Sequence, residues 1–181
     1  MRRLNRKTKE LFYVELRLAG KVPLLVQPLI REKMISGLRW SCEKRGLRIY
    51  EYSILPDRII MIAATAWGSL TDVLEAYKGF TSKAVMLILR NGKPGLETAW
   101  MVSVFREYGA KDKPEGIHIW EEELLIQSLY QQDDIDKSAL DIQKRAVKMG
   151  LVAKPEHYVH CSANPRNPLD GWIVEAIDPW S

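Results

Sequence analysis

Residues 47–64 constrain the fold more than any other stretch of the chain. Leu47-Arg48-Ile49-Tyr50-Glu51-Tyr52-Ser53-Ile54 alternates apolar and polar side chains, as a half-buried strand must. Ile59-Ile60-Met61-Ile62-Ala63-Ala64 is a nearly unbroken apolar run with β-branched residues, which suits a central strand covered on both faces. Pro56-Asp57 between them is a turn signal, so the pair reads as a β-hairpin. Its second strand begins with a charge, Arg58. A chain that must place an apolar strand at the centre of a sheet needs helices or further strands to cover it.

The flanking sequence supplies both. Leu11-Phe12-Tyr13-Val14-Glu15-Leu16-Arg17-Leu18 reads as a first strand. Pro28 suits the first turn of a helix running to about Arg45, with Leu29, Ile30, Lys33, Met34, Gly37, Leu38, Trp40 and Ser41 as its apolar stripe and Gly46 as its stop. Ser69 is placed to cap a second helix, whose buried face is expected from Val73, Leu74, Tyr77, Phe80, Ala84, Leu87 and Ile88. Asn91-Gly92-Lys93-Pro94-Gly95 breaks it. A short helix follows over Thr98–Phe105 and is stopped by Gly109, and a fourth strand is expected at Gly116-Ile117-His118-Ile119-Trp120. Asp133 or Asp134 is expected to cap a last helix, Ile135 to Met149, whose end carries Lys144, Arg145 and Lys148 where the helix dipole favours cations. The β-α-β-β-α-β order predicts an α+β, ferredoxin-like split β-α-β arrangement, an antiparallel sheet with helices packed on one face.

Composition narrows the class. The 181 residues are enough for about one domain, and 46% hydrophobic with 28% charged residues is ordinary for a globular chain. The division expected is a basic arm at 1–10, a domain at 11–163 and a C-terminal extension at 164–181 that packs on it. Two cysteines, Cys42 and Cys161, give no disulfide framework. No apolar run is long enough to span a membrane, and Met1-Arg2-Arg3-Leu4 is not followed by a signal-peptide core, so a cytoplasmic protein without membrane contact is expected.

Net charge is only +4, but it is unevenly spread. Arg2, Arg3, Arg6, Lys7 and Lys9 crowd the N-terminus, and Arg39, Lys44, Arg45 and Arg48 lie at the end of the first helix and the strand after it. Such clusters neutralise backbone phosphates without reading sequence, although a charged terminus also serves simply as a solvated end. Glu121-Glu122-Glu123 with Asp133, Asp134 and Asp136 makes the third quarter acidic, a feature that repels nucleic acid.

Several phrases of the chain resemble the single-tyrosine HUH transposases, and among them the REP-associated tyrosine transposases. The first strand is similar to the family's "YFVTFTV". Tyr77-Lys78-Gly79-Phe80-Thr81-Ser82-Lys83 is similar to "KKFTSK", His118-Ile119-Trp120 to "FWQ", and Gly150-Leu151-Val152-Ala153-Lys154-Pro155-Glu156-His157-Tyr158 to "AGLVxxPEDY", followed by Cys161-Ser162-Ala163 in place of "SSA". The resemblance spans roughly residues 11–163 in order. It implies the ferredoxin-like HUH fold, DNA transposition through hairpin or single-stranded DNA, a homodimer, and catalysis by a tyrosine with divalent Mg or Mn.

The departures fall on the chemistry. The family's hairpin reads Met-Pro-Asn-His-hydrophobe-His, and its two histidines hold the metal; here Leu55-Pro56-Asp57 keeps the turn while Arg58 and Ile60 occupy the histidine positions. Neither residue binds a metal, so no metal residues and no cofactor are expected. Counting from Trp120, the nucleophilic tyrosine falls at Leu124, with Tyr130 the nearby substitute, and the "YIxxNPV" phrase is replaced by Asp141 to Val147. His118, His157 and His160 form no His-x-His pair, and the cluster of His157, His160 and Cys161 reads as a loop rather than a ligand set. A phenol of pKa about 10 is a poor nucleophile at neutral pH, and phosphodiester transesterification needs a metal to stabilise developing charge.

Three readings follow. The first is a transposase-like DNA-binding protein without strand cleavage, with Arg2, Arg3, Arg6, Lys7, Arg39, Lys44, Arg45, Arg48, Arg58, Lys78 and Lys83 as the nucleic-acid-binding set. The second is an active transposase in which Tyr130 or Tyr158 attacks and Asp57 or Glu51 holds the metal. The third is a domesticated protein-interaction module. Arg58 either faces phosphate or forms a salt bridge with Glu51 or Glu15 on an adjacent strand.

Overall fold

The computed structural model describes residues 10–91, 99–109 and 118–174. Four strands, β1 (Leu11–Arg17), β2 (Leu47–Ile54), β3 (Arg58–Thr65) and β4 (Leu125–Leu129), form an antiparallel sheet in the order β2-β3-β1-β4. Among the described residues four α-helices accompany them: α1 (Pro28–Arg45), α2 (Leu70–Arg90), α3 (Ala99–Gly109) and α4 (Gln132–Lys148). The apolar run of residues 59–64 becomes a central strand, paired with β1 from Phe12↔Ala63 to Arg17↔Arg58 and with β2 from Leu47↔Thr65 to Ile54↔Ile59. The α+β class and ferredoxin-like sheet stand as expected.

The sheet is covered on both faces, which extends the expectation of helices on one face. On the first face Val14, Leu16, Ile59, Met61 and Ala63 pack with Ile30, Met34 and Leu38 of α1 and with Val73, Leu74 and Tyr77 of α2. On the second, Leu11, Ile60, Ile62 and Ala64 pack with Ile135, Ala139, Ile142 and Ala146, the inward stripe of α4. Each fully buried aliphatic side chain contributes about 1.5–3 kcal/mol, so α4 is held mainly by this stripe.

Local signals explain the helix ends. Pro28 opens α1, and Gly46 closes it with a left-handed φ of 74°, where a Cβ would also lie 2.9 Å from the Trp67 ring. The Ser69 side chain caps α2 by accepting from the Asp72 N–H. The start of α4 differs from expectation: Gln131 is its N-cap, without a side-chain hydrogen bond, and Asp133 and Asp134 sit in the first turn, where they complement the free amides.

Two further expectations need correction. The fourth strand lies at Leu125–Leu129 rather than 116–120. Gly116 and Ile117 fall outside the described residues, and Trp120 makes a single bridge to Leu18 and buries its ring beside Tyr77, donating its indole N–H to Thr81 Oγ1 at 2.9 Å. Phe80 and Leu87, expected in the core, are exposed, as is Trp40 on α1.

The edge strand β2 carries a bulge between Ile49 and Glu51, so that Leu47 and Ile49 share a face with Tyr52 and Ile54 despite the change of parity. The chain beyond α4 runs along this edge. Ile54 N–H donates to His160 O at 2.8 Å, Ser162 N–H to Tyr52 O at 3.0 Å and Val174 N–H to Ile49 O at 2.8 Å. Leu169 enters the first core, and the buried Tyr52 hydroxyl donates to Asn167 Oδ1 at 2.8 Å. Tyr52→Phe is expected to cost about 1 kcal/mol, the usual net contribution of one hydrogen bond, because Asn167 Oδ1 keeps the Leu169 N–H at 3.1 Å. Amide exchange in 160–174 should speed up in that variant while α1 and α2 stay protected.

Candidate functional site

The period-2 geometry of β1 and β3 decides what faces α4. Tyr13, Glu15 and Arg17 of β1 and Arg58 and Ile60 of β3 point to the same side, because Arg17 pairs with Arg58 and Glu15 with Ile60. Ile60 is 0% exposed. It is enclosed by the second core, with no lone pair to offer.

Arg58 begins the strand at the rim of this face, with its side chain 21% exposed. Its Nη1 donates to Glu15 Oε1 at 2.6 Å, and its Nε and Nη2 donate to the two carboxylate oxygens of Asp57 at 3.0 and 2.9 Å. Arg17 Nε donates to the same Glu15 oxygen at 2.8 Å. Of the alternatives for Arg58, the salt bridge to Glu15 is the one formed. Asp57, Arg58, Glu15 and Arg17 make an alternating row of charges whose formal sum is zero.

The network shifts its members in a consistent direction. Burial alone would raise the Glu15 carboxyl, but the hydrogen bonds and charges of Arg17 and Arg58 outweigh it and hold its pKa below the ordinary value. Asp57 and Glu15 in turn raise that of Arg58, so the guanidinium stays charged. Beyond Glu15, Arg145 of α4 donates to Tyr13 Oη at 3.5 Å and pairs with Asp141, which also holds Lys148 at 2.6 Å. The sequence reading missed Tyr13, Glu15, Arg17 and Arg145 as a unit. The alternation of Tyr13, Glu15 and Arg17 along β1 was the available signal.

The residues at this face do not fit a divalent metal. A guanidinium has no free lone pair, an enclosed isoleucine has none, and the carboxylates of Glu15 and Asp57 are already bound by arginines. Glu51 accepts at Oε2 from Gln143 Nε2 at 3.2 Å and from the Ser162 hydroxyl. It floors a cavity of about 860 Å³ that Glu156 and Asp170 also line, a surface that repels phosphate. Among the described residues no three His, Cys, Asp or Glu side chains are grouped to hold a metal ion. His118 and His157 are exposed, and His160 packs edge-on to Tyr158, its pKa pushed down to about 4 by burial and Arg31.

The positions expected for the nucleophile do not converge on this face. Leu124 precedes β4 and packs against the first core, on the opposite side of the sheet from Ile60. Tyr130 lies at the far end of β4 and is exposed. The Tyr158 hydroxyl donates to Ile54 O at 2.7 Å, and burial pushes its pKa up to about 12, which suits a structural phenol and not an attacking one.

The basic set divides in two. Lys78 is buried and donates to Glu122 O at 3.1 Å and Glu75 Oε1 at 3.2 Å; Arg39 donates to Pro168 O; Arg58 is held as above. Lys44, Arg45, Arg48 and Lys83 are exposed, at the end of α1, the start of β2 and the middle of α2. Arg2, Arg3, Arg6 and Lys7 lie outside the described residues. Among the described residues no helix is long and apolar enough to cross a membrane.

No protein-family model and no curated protein matches the sequence. Solved structures do match. A REP-associated tyrosine transposase, solved bound to a REP hairpin, superposes with TM-score 0.55 at 16% identity over 96% of this chain and 90% of its own. A protein of Deinococcus radiodurans R1 assigned as a transposase superposes with TM-score 0.45 at 13% identity over 83% of this chain and 98% of its own. At these identities the likeness is one of architecture: the chain has the fold of a REP-associated tyrosine transposase.

Proposed function

We propose that the chain is a transposase-fold DNA-binding protein that engages hairpin or single-stranded DNA without cutting it. The observation that carries this reading is the state of the face where the resemblance puts the metal: Ile60 is core, and Arg58 is neutralised by Glu15 and Asp57. Loss of both metal and nucleophile removes many powers of ten in rate, whereas binding through cations elsewhere survives it. The scaffold supports the DNA half of the proposal, since the transposase it resembles was solved on a hairpin. The contacts to phosphate then come from Lys44, Arg45, Arg48 and Lys83 together with the N-terminal arginines and lysines, and not from Arg58.

Binding to a labelled hairpin carrying a single-stranded flank, against random duplex of equal length over a salt series, tests this. The hairpin should bind more tightly, with an affinity that falls steeply with salt; each neutralised phosphate contributes about 0.7–0.9 to the log–log slope. Lys83→Gln should lower that slope by about 1, and Arg58→Gln should leave it unchanged. Absence of binding to either DNA at low salt overturns the proposal.

A further inference from the structure

Trp40 and Phe80 are large, apolar and yet 37% and 47% exposed, on α1 and α2 respectively. Their rings stack on each other with centroids 5.9 Å apart and planes inclined by 14°. The guanidinium of Arg45 lies over the Trp40 ring, 5.3 Å from its centroid. The next residue, Gly46, abuts Trp67, which is 61% exposed. The contacts therefore run Phe80, Trp40, Arg45, Gly46, Trp67 across the outside of the helical layer. Lys83 is one turn from Phe80 and Lys44 one turn from Trp40. The carboxylate near them, Glu43, is paired with Lys44 at 2.6 Å.

Each part has a physical cause. Gly37 lets the helices approach, since a Cβ there would lie 2.9 Å from the Tyr77 ring, and this brings the outward residues of α1 and α2 within stacking range. Aromatic rings pre-stacked and fixed by a cation lose little freedom when a further ring is added. An exposed aromatic stack bordered by cations attracts a polyanion that carries planar bases, and a base can extend the stack. This is the pairing of stacking platform and basic track by which proteins hold unpaired nucleotides, and every base has a π-face to offer.

We infer that the Trp40–Phe80 ridge is a stacking site for unpaired DNA bases, with Arg45, Lys44 and Lys83 taking the neighbouring phosphates. The inference rests on the DNA-binding reading and names its surface, on the α1/α2 side and away from the face under α4. A duplex, whose bases are already stacked, gains only the phosphate contacts there.

Anisotropy titrations of labelled oligothymidylate and of a blunt duplex of equal length, with the full chain and with Trp40→Ala, Phe80→Ala and Trp40→Phe, test it. Circular dichroism and melting temperature establish that each variant is folded. Each alanine variant should weaken oligothymidylate binding about tenfold or more while duplex affinity stays at the wild-type value, and Trp40→Phe should retain most of the single-strand affinity. Folded alanine variants that bind oligothymidylate as wild type does overturn the inference and leave the DNA-binding reading intact. Wild-type protein that binds no DNA at low salt overturns both. If sedimentation shows self-association that Trp40→Ala abolishes while oligothymidylate binding is unaffected, the ridge is a contact between copies of the chain, and the inference fails.

Discussion

Ile60→Asp is expected to destabilise the protein by about 4 kcal/mol or more, the largest effect expected at the face under α4. The side chain is 0% exposed, between β1 and β2 on the central strand and beneath Ile135, Ala139 and Ile142 of α4. Truncating such a residue costs about 2–5 kcal/mol through lost transfer energy and an unfilled cavity. The aspartate adds a buried charge directly opposite Glu15 on β1, where a second carboxylate repels the first. For a chain of this length that loss corresponds to a fall in melting temperature of roughly 8–16 °C. Ile60→Val removes one methylene and is expected to cost about 1 kcal/mol. Thermal denaturation of both variants checks the ranking, and an Ile60→Asp protein as stable as Ile60→Val would mean that α4 does not cover β3.

Glu15→Ala comes next, with an expected loss of about 2–3 kcal/mol. Glu15 is 6% exposed and accepts from both Arg58 and Arg17, so its removal leaves two guanidinium groups beside each other with no acceptor between them. Breaking a fully buried pair costs about 3–5 kcal/mol. The value here is set lower because Arg17 is 37% exposed and reaches solvent, and because Arg58 keeps Asp57. Added salt should recover part of the loss by screening the two cations. Glu15→Leu combined with Arg58→Leu should cost less than the sum of the single changes, and the double-mutant cycle reads that coupling.

The pH dependence follows from the same carboxylates. The pKa of Glu15 is held below its ordinary 4.5, so its contribution is fully present above that value and is lost as pH falls through the folded-state pKa. Asp141 behaves alike: burial would raise it, but Lys148 and Arg145 hold it below 3.8. Stability should fall below about pH 4.5 in the wild type and fall less steeply in Glu15→Gln.

How much of this could be read in the sequence depends on whether the determining contacts were local. β2 and α1 have the limits expected of them, Leu47–Ile54 and Pro28–Arg45, because alternation, the Pro28 start and the Gly46 stop are encoded within a few residues. β4 was misplaced because a five-residue edge strand, Leu-Ile-Gln-Ser-Leu, has weak alternation, whereas the apolar residues up to Trp120 resemble a strand, yet Trp120 makes one bridge to Leu18 and sets its indole against Thr81 and Tyr77. Phe80 and Leu87 were assigned to the core because α2 has apolar residues on more than one side, and periodicity alone does not say which stripe is inward. The second covered face depends on α4 folding back across the sheet, a long-range contact with no local signature.

The candidate site divides along the same line. That Arg58 and Ile60 stand where the resemblance puts metal ligands was legible, since it concerns the identity of two residues two positions apart on one strand. The ion-pair row was only partly legible: Glu15 was foreseen as a partner of Arg58, but Asp57, taken as a possible metal ligand, is its second partner. Leu124, where the resemblance puts the nucleophile, precedes β4 and packs on the opposite core, a placement that depends on long-range pairing. The exposed aromatic ridge was hidden because Trp40 and Phe80 satisfy an apolar pattern equally well inside or outside.

Under the proposed function, this fold binds DNA with its cleavage chemistry gone. The most direct test is a denaturing gel of the full chain incubated with a labelled hairpin bearing a single-stranded flank, with manganese or magnesium, at a protein concentration that retards the same DNA on a native gel. The expected result is a retarded native complex and no label attached to protein after denaturation. A covalent protein–DNA adduct, lost on Tyr130→Phe or Tyr158→Phe, would contradict it.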